Sequence, residues 1–341
     1  MSTDEVLAVE DLCCDFLTIE GIVHAVSGMN LSLRRGEIHG LVGESGCGKS
    51  VSSRAILGLL DKRRSRARGL VRFDRRNLLA LGEKELRAIR GRRISMVFQD
   101  PLNSLSPLET VGSQIEEAIA NHFSLPPGEL HSRAASLLER VGLHPETARQ
   151  YPFELSGGMQ QRVMIAQAIS CEPELLIADE PTTALDVTIQ AQVLTLLKTL
   201  QRELSLSVLL ITHNFAVVAE TCDRVSVMYA GQIVETAATG ELIATPAHPY
   251  SKALINCIPR GLATSGDGVS ASELAHDSIA AVHRARMPLP VIPGFPPRLY
   301  DPPEGCAFAP RCSRSDGACA TAPPRLELGD GHVVFCHHRV G

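Results

Sequence analysis

Apolar positions recur along this chain in two rhythms. Val6 to Leu12 alternates apolar and polar residues, and Ile22 to Leu33 continues that rhythm with a turn at Ser27-Gly28, so the start predicts a small antiparallel sheet. Ile38 to Val42, Leu70 to Asp74, Ile94 to Phe98, Leu175 to Ala178 and Ser207 to Thr212 are short apolar runs of the kind that form buried strands. Helical spacing falls at Val51 to Leu60, Glu83 to Ile89, Val111 to Ala120, Leu130 to Val141, Gln160 to Ile169 and Thr188 to Leu204. Alternating strands and helices predict an α/β fold. The helices of residues 110–150, divided by Pro126-Pro127-Gly128 and followed by Pro145, read as a helical insertion. The basic run Lys62 to Arg68 reads as a solvated loop. After Pro259 the composition turns to Gly, Ser and Ala and then to Pro, which predicts a linker or arm over residues 260–297 ahead of a separate last segment, 298–341.

Composition narrows the class. With 341 residues, 44% of them hydrophobic, the chain can bury a large core. It contains no apolar run of 18 residues, and its start, Met1 to Val6, lacks a basic segment followed by an apolar one, so neither a membrane span nor a signal peptide is expected. That places it in a compartment where ten cysteines stay reduced, which favours metal binding or burial over disulfides. A net charge of −5 gives no general footprint for nucleic acid.

Chemistry enters at Gly43-Glu-Ser-Gly-Cys-Gly-Lys-Ser50, which fits the phosphate-binding loop G-x-x-x-x-G-K-[ST] and sits between an expected strand and an expected helix. Gly43, Gly46 and Gly48 let the backbone turn and approach phosphate, while successive N–H groups and the helix N-terminus face the anion. Lys49 would reach the β- and γ-phosphates and Ser50 would ligate Mg²⁺. Cys47, at the same helix N-terminus, is placed where a thiol pKa is lowered; redox control and a passive small residue are the two readings of it. Phe16, upstream of the loop, is positioned either to stack on adenine or to fill a core.

The strand at Ile94 to Phe98 delivers Gln99 to its carboxyl end, where α/β sheets bind ligands; Gln99 there either contacts Mg²⁺ or a water, or is a plain loop amide. Leu155-Ser-Gly-Gly-Met159 opens a helix with Ser156 as N-cap and Gly157 and Gly158 leaving N–H groups uncovered, which is either a second anion-binding start or an ordinary capped helix. Leu175 to Ala178 runs into Asp179 and Glu180; alternation projects them differently, so one can serve Mg²⁺ while the other polarises a water. His213 stands at the end of another apolar strand.

Taken in order, Gly43 to Ser50, Gln99, Leu155 to Met159, Asp179-Glu180, Leu185-Asp186 and His213 resemble the ATP-binding subunits of ABC transporters. Leu155 to Arg162, Ala178 to Gln192, His248-Pro-Tyr-Ser-Lys-Ala-Leu254 and Gly305 to Cys312 resemble the dipeptide and oligopeptide importer branch. The resemblance implies an ABC-type phosphate-loop ATPase over 1–259, with a small antiparallel β subdomain and a helical subdomain at about 102–172, and a head-to-tail pair in which each chain supplies half of each ATP site. It implies that Phe16 stacks on adenine, that Gly43, Ser45, Gly46, Cys47, Gly48, Lys49, Ser50 and Val51 hold the nucleotide, and that Ser156, Gly157 and Gly158 meet the opposing one. Ser50, Gln99 and Asp179 are implied for Mg²⁺, Glu180 as general base, and His213 and Gln99 as catalytic sensors of the γ-phosphate. Ser106 departs from the Asn that relatives usually place there. The implied partners are a second, unlike ATPase, two membrane permeases and an extracytoplasmic peptide-binding protein, at the cytoplasmic face of the cell membrane. The importer cargo is then di- or oligopeptide, with nickel, glutathione or another small solute as alternatives; a soluble ATPase acting on nucleic acid is the rival from another class.

The last segment carries Cys306, Cys312, Cys319 and Cys336 among Pro, Gly and Arg, with little apolar sequence, and so reads as a loop-rich end in need of a staple. Four thiolates suit Zn²⁺ or a [4Fe–4S] cluster, and spacing leaves both open beside plain buried thiols; the resemblance implies the iron–sulfur cluster. Five Arg balance five acids over residues 298–341, unlike a basic nucleic-acid module.

Overall fold

The computed structural model describes residues 4–183, 185–257, 291–300, 302–329 and 331–340. In chain order β1 (Glu5–Thr18), β2 (Gly21–Arg34) and β3 (Ile38–Val42) lead to α1 (Lys49–Ile56), β4 (Ser65–Phe73), β5 (Arg76–Asn77), α2 (Glu83–Ile89), β6 (Ile94–Val97), α3 (Pro101–Ser104), α4 (Val111–Ala120) and α5 (Pro127–Arg140). Then come α6 (Gly157–Ile169), β7 (Leu175–Asp179), α7 (Val187–Leu204), β8 (Ser207–Thr212), α8 (Phe215–Thr221), β9 (Arg224–Tyr229), β10 (Gln232–Ala238), α9 (Thr239–Ala244), α10 (Pro249–Asn256), β11 (Arg325–Gly329) and β12 (His332–Phe335). The described residues form two compact units: those of the spans Met1–Val6, Leu33–Ile38 and Ala80–Ile211 in one, and those of Leu7–Ser32, His39–Leu79 and Thr212–Gly341 in the other.

In the first unit β6, β7 and β8 are parallel, paired Ile94↔Leu175 and Leu175↔Ser207 onward. Leu175 to Asp179 are all buried, as a parallel strand covered on both faces requires. Burial of side chains such as Leu176, Ile177 and Leu209, all at 0% exposure, stabilises by about 1.5–3 kcal/mol each. α6 packs on β6, α3, α4, α5 and α7 and is buried almost all round, which makes it the axis of this unit.

In the second unit β1 pairs antiparallel with β4 from Leu7↔Phe73 to Phe16↔Ser65. Strand pairing therefore overrides the loop expected at Lys62 to Arg68: from Ser65 the run is strand, with Arg66 and Arg68 exposed on it and Arg68 held by Asp15 at 2.8 Å. Nor does Ser27-Gly28 reverse the chain, because β2 runs through it with Gly28 at φ +70°. A second sheet in this unit has the order β11-β12-β10-β9-β3. The segment expected to be loop-rich is thus partly hairpin: β12 joins β10 through Glu235↔Val334 and Thr236↔Val333. Phe308, Cys319, Val334 and Cys336 are buried, and this end shares its core with earlier residues, Val334 and Cys336 clustering with Ala247 and Phe308 packing on Tyr229 and Tyr250. Of the linker expected over 260–297, only 291–297 lies within the described residues.

Candidate functional site

β3 is buried along its whole length and delivers Gly43 to the phosphate-binding loop. A Cβ on Gly43 would stand 2.1 Å from the Met228 carbonyl oxygen, and one on Gly48, at φ +107°, 2.4 Å from that of Ala25. Only glycine fits at either position. The turn after β9, with Ala230 at φ 45° and Gly231 at φ 83°, returns the Gly231 N–H to the Cys47 carbonyl at 2.9 Å and fixes the loop from behind. α1 then starts at Lys49 with no side-chain cap, which leaves its first N–H groups and roughly half a positive charge for an anion. Lys49 is 5% exposed, and its ammonium donates to the carbonyls of Gly43 at 2.8 Å and Glu44 at 3.0 Å. Ser45 and Gly46 are exposed on the loop, and Ser50 and Val51 are half-buried on the first turn of α1.

Cys47 corrects an expectation. Its thiol is buried, and burial pushes its pKa up, outweighing the lowering by Lys49. Burial thus opposes the lowering expected at a helix N-terminus and favours the passive reading over redox control.

In the first unit, β7 ends at Asp179, 1% exposed, and Glu180 follows in the left-handed region at φ 48°. A bulky residue there costs about 1–3 kcal/mol, a strain that functional positions concentrate. Glu180 N–H donates to the Ile211 carbonyl at 2.9 Å, while its Oε2 accepts Gln99 Nε2 at 3.0 Å and Thr183 Oγ1 at 2.9 Å. The structure thus brings Gln99 and Glu180 together, with Asp179 beside them in sequence. Ser156 caps α6 by accepting the Met159 N–H at 3.4 Å, and a Cβ on Gly158 would lie 2.6 Å from Ile189 Cγ2 at the start of α7. Gly157 faces Leu185. In the second unit Phe16 is half-buried on β1 opposite Ser65, and His213 is exposed just after β8.

The four tail cysteines lie within electrostatic reach of one another: burial raises the Cys336 thiol to about 11, and Cys306, Cys312 and Cys319 add to the rise. Peptide N–H groups donate to these sulfurs, His338 to Cys336 at 3.3 Å and Arg314 to Cys312 at 3.4 Å. A cationic centre held by these residues would let the thiols ionise and would use the N–H···S bonds. Among the described residues, the donor set with ligand atoms within 4.8 Å of one another is Asp316, Cys319 and His338.

Three supporting residues escaped sequence reasoning. Tyr250, 0% exposed, accepts the Glu44 N–H at 3.0 Å. Arg311 forks onto the Glu44 carboxylate at 2.8 and 3.0 Å. Gln114, 4% exposed, holds the main chain after Gln99, accepting the Ser106 N–H at 2.8 Å and donating to the carbonyls of Ser106 and Glu109, each at 3.0 Å. Since Gln114 grips Ser106 by its backbone, the departure at that side chain does not alter the clamp.

Residues 26–183 match the family described as ABC transporter, and residues 234–270 and 272–319 match the oligopeptide/dipeptide transporter C-terminal region. The chain is 46% identical to a probable peptide ABC transporter ATP-binding protein of Sinorhizobium fredii, over 98% of this chain and 95% of that protein. It is 43% identical to the dipeptide transport ATP-binding protein DppD of Bacillus subtilis, over 98% and 94%. Among solved structures it is similar to the dimeric post-hydrolysis state of the ATP-binding cassette MJ0796 bound to ADP and Pi, with a TM-score of 0.62 and 29% identity over 68% of this chain and 98% of that one.

Proposed function

The chain belongs to the ATP-binding subunits of ABC transporters, and from that premise we propose that it is the motor that hydrolyses ATP to drive import of di- or oligopeptides through membrane permeases. The observation that carries this reading is Glu180, held in a strained backbone at the end of a buried strand with its carboxylate fixed by Gln99 and Thr183. Glu180 accepts the proton of the water that attacks the γ-phosphate, giving ADP and phosphate. The backbone N–H groups from Gly43 to Val51, with the Ser45 hydroxyl, cradle the phosphates, Lys49 pairs with them, Phe16 stacks on adenine and His213 contacts the γ-phosphate. Ser50, Gln99 and Asp179 would hold Mg²⁺, which neutralises charge developing on the phosphates. Ser156, Gly157 and Gly158 meet the nucleotide of the opposing subunit.

Domains follow from the same reading: an ATPase domain over 1–259, with its helical subdomain at about 102–172, a connecting arm over 260–297 and a Cys-rich extension over 298–341. The peptide cargo is supported by the match of the C-terminal region to oligopeptide and dipeptide transporters. The Met159 form of the segment at 155–159 favours a heterodimer with an unlike ATPase. No helix among the described residues is long and apolar enough to cross a membrane. In this reading attachment to the cytoplasmic face runs through the permeases, which an extracytoplasmic peptide-binding protein feeds.

Cys306, Cys312, Cys319 and Cys336 would hold a [4Fe–4S] cluster, which supplies a rigid anchor for the extension. The mixed set of Asp316, Cys319 and His338 favours zinc as the second reading. Protein purified without oxygen should be brown and carry iron and sulfide; a colourless protein with zinc alone would establish the second reading. For transport, the chain reconstituted in liposomes with permeases, partner ATPase and binding protein should drive MgATP-dependent uptake of a labelled peptide. Failure of that assembly to retain MgATP would refute the motor, and uptake of nickel or glutathione in place of peptide would refute the cargo.

A further inference from the structure

Arg311 belongs to the C-terminal extension, 267 residues from Glu44, yet its side chain is 4% exposed and closes onto the phosphate loop. Each of its five donors has an acceptor. Nη1 reaches Glu44 Oε2 at 2.8 Å and the Tyr229 hydroxyl at 3.3 Å, Nη2 reaches Glu44 Oε1 at 3.0 Å and the Ile292 carbonyl at 3.3 Å, and Nε reaches the Pro293 carbonyl at 2.8 Å. The planar fork matches a carboxylate in a way that a lysine cannot. Glu44 is gripped elsewhere too: its N–H by Tyr250 and its carbonyl by Lys49, the residue that faces phosphate in the reading above. Next to Arg311, Phe308 packs against Tyr229 and Tyr250 with ring centroids 5.3 Å from each, so the arginine stands on a rigid base.

Charge makes the pair more than a brace. Glu44 places a carboxylate inside a loop built to hold a polyanion, and an unpaired carboxylate there would repel phosphate through a medium that screens poorly. Arg311 cancels that charge and fixes the second residue of the loop.

We propose that Arg311 is a positioning residue for nucleotide binding, through which the order of the C-terminal extension and the affinity of the phosphate loop form one linked equilibrium. By linkage, nucleotide must stabilise the extension by the same factor that the extension lends to nucleotide. The proposal rests on the loop being the nucleotide site.

The experiment measures Kd for a fluorescent MgATP analogue, and KM against kcat, on the full chain. Variants are Arg311→Gln, Glu44→Gln and the double variant, each first shown to be folded by its thermal melt. Arg311→Gln should weaken binding about ten-fold or more, the effect of stranding a half-buried charge, and raise KM more than it lowers kcat. The double variant should recover most of that loss, because the repelling carboxylate is gone; a purely structural role would give no recovery. Hydrogen exchange of residues 302–340 should slow on adding MgATP in the wild type and not in Arg311→Gln. If Arg311→Gln does not fold, Arg311→Lys replaces it, with weaker binding expected from loss of the fork. A folded Arg311→Gln, or in its place Arg311→Lys, with wild-type Kd would overturn the proposal, as would a double variant no better than Arg311→Gln. A wild-type chain that does not bind MgATP would instead refute the nucleotide site itself.

Discussion

Gln99 Nε2 donates to Glu180 Oε2 at 3.0 Å, tying the loop after β6 to the residue after β7. Thr183 Oγ1 shares the same oxygen at 2.9 Å, so the carboxylate is aimed rather than free to rotate. Glu180→Gln keeps the size of the side chain and removes its basicity. Turnover should fall by roughly 10² or more, the usual loss for a general base, with nucleotide still bound. Steady-state phosphate release alongside nucleotide titration separates the two effects; undiminished turnover would remove Glu180 from the chemistry.

Glycines of the two loops should rank by what a methyl group would strike. Gly48→Ala combines φ +107° with a contact of 2.4 Å to the Ala25 carbonyl, which is backbone and cannot yield, so nucleotide binding should vanish. Gly46→Ala meets no atom within 4 Å and carries only the strain of φ +79°, about 1–2 kcal/mol. Gly158→Ala presses on Ile189 Cγ2 at 2.6 Å, a branch methyl that can clear it only by turning about χ1 or by a small shift of α7, and because no backbone atom blocks it the variant should retain part of its activity. Nucleotide titration and turnover of the three variants test this order, and equal losses at Gly46 and Gly48 would contradict it.

What the sequence made legible is what local pattern decides. Glu83–Ile89 and Ser207–Thr212 have the boundaries that their apolar spacing predicts, and the phosphate loop lies between strand and helix as its motif requires. Leu70 to Phe73 of β4 is legible in its apolar spacing, whereas its first half is hidden because five basic residues from Lys62 to Arg68 outweigh strand signals until β1 supplies a partner. Cys47 misled because local position argues for a low pKa while burial, which only the fold reveals, raises it. Tyr250 and Arg311 act on Glu44 across 206 and 267 residues, and no periodicity reports a contact at that range. The C-terminal core was missed for the same reason: Phe308 is a single aromatic in its own segment and becomes core only against Tyr229 and Tyr250.

Gln114 should prove a structural clamp with a coupling phenotype. Gln114→Ala removes three part-buried hydrogen bonds to the main chain of the segment after Gln99, at a cost of about 1 kcal/mol or more in all, since water can reach part of what is left. The thermal midpoint should drop, and stimulation of ATPase activity by permeases should suffer more than the basal rate, since the loosened segment leaves Glu180 in place. Comparing both rates in Gln114→Ala and wild type tests this; full stimulation in a destabilised variant would confine Gln114 to stability.

Acid should weaken the fold through His248. This residue caps α10, its Nδ1 accepting the Tyr250 N–H at 3.0 Å, while its main-chain N–H donates to Glu235 Oε2 at 2.9 Å. It is 1% exposed, and burial holds its pKa down at about 3, against about 6.5 in the unfolded chain. Below that unfolded value the unfolded state binds the extra proton, so stability from this residue is complete above about pH 6.5 and is lost as pH falls toward the folded value. The slope reaches about 1.4 kcal/mol per pH unit for one proton. His248→Asn keeps an oxygen to cap the helix and cannot titrate, so subtracting its denaturation curve from that of the wild type isolates this proton from the carboxylates common to both. The wild type should lose more stability than the variant between about pH 6.5 and about pH 5; parallel losses would mean that His248 takes up its proton without leaving the core.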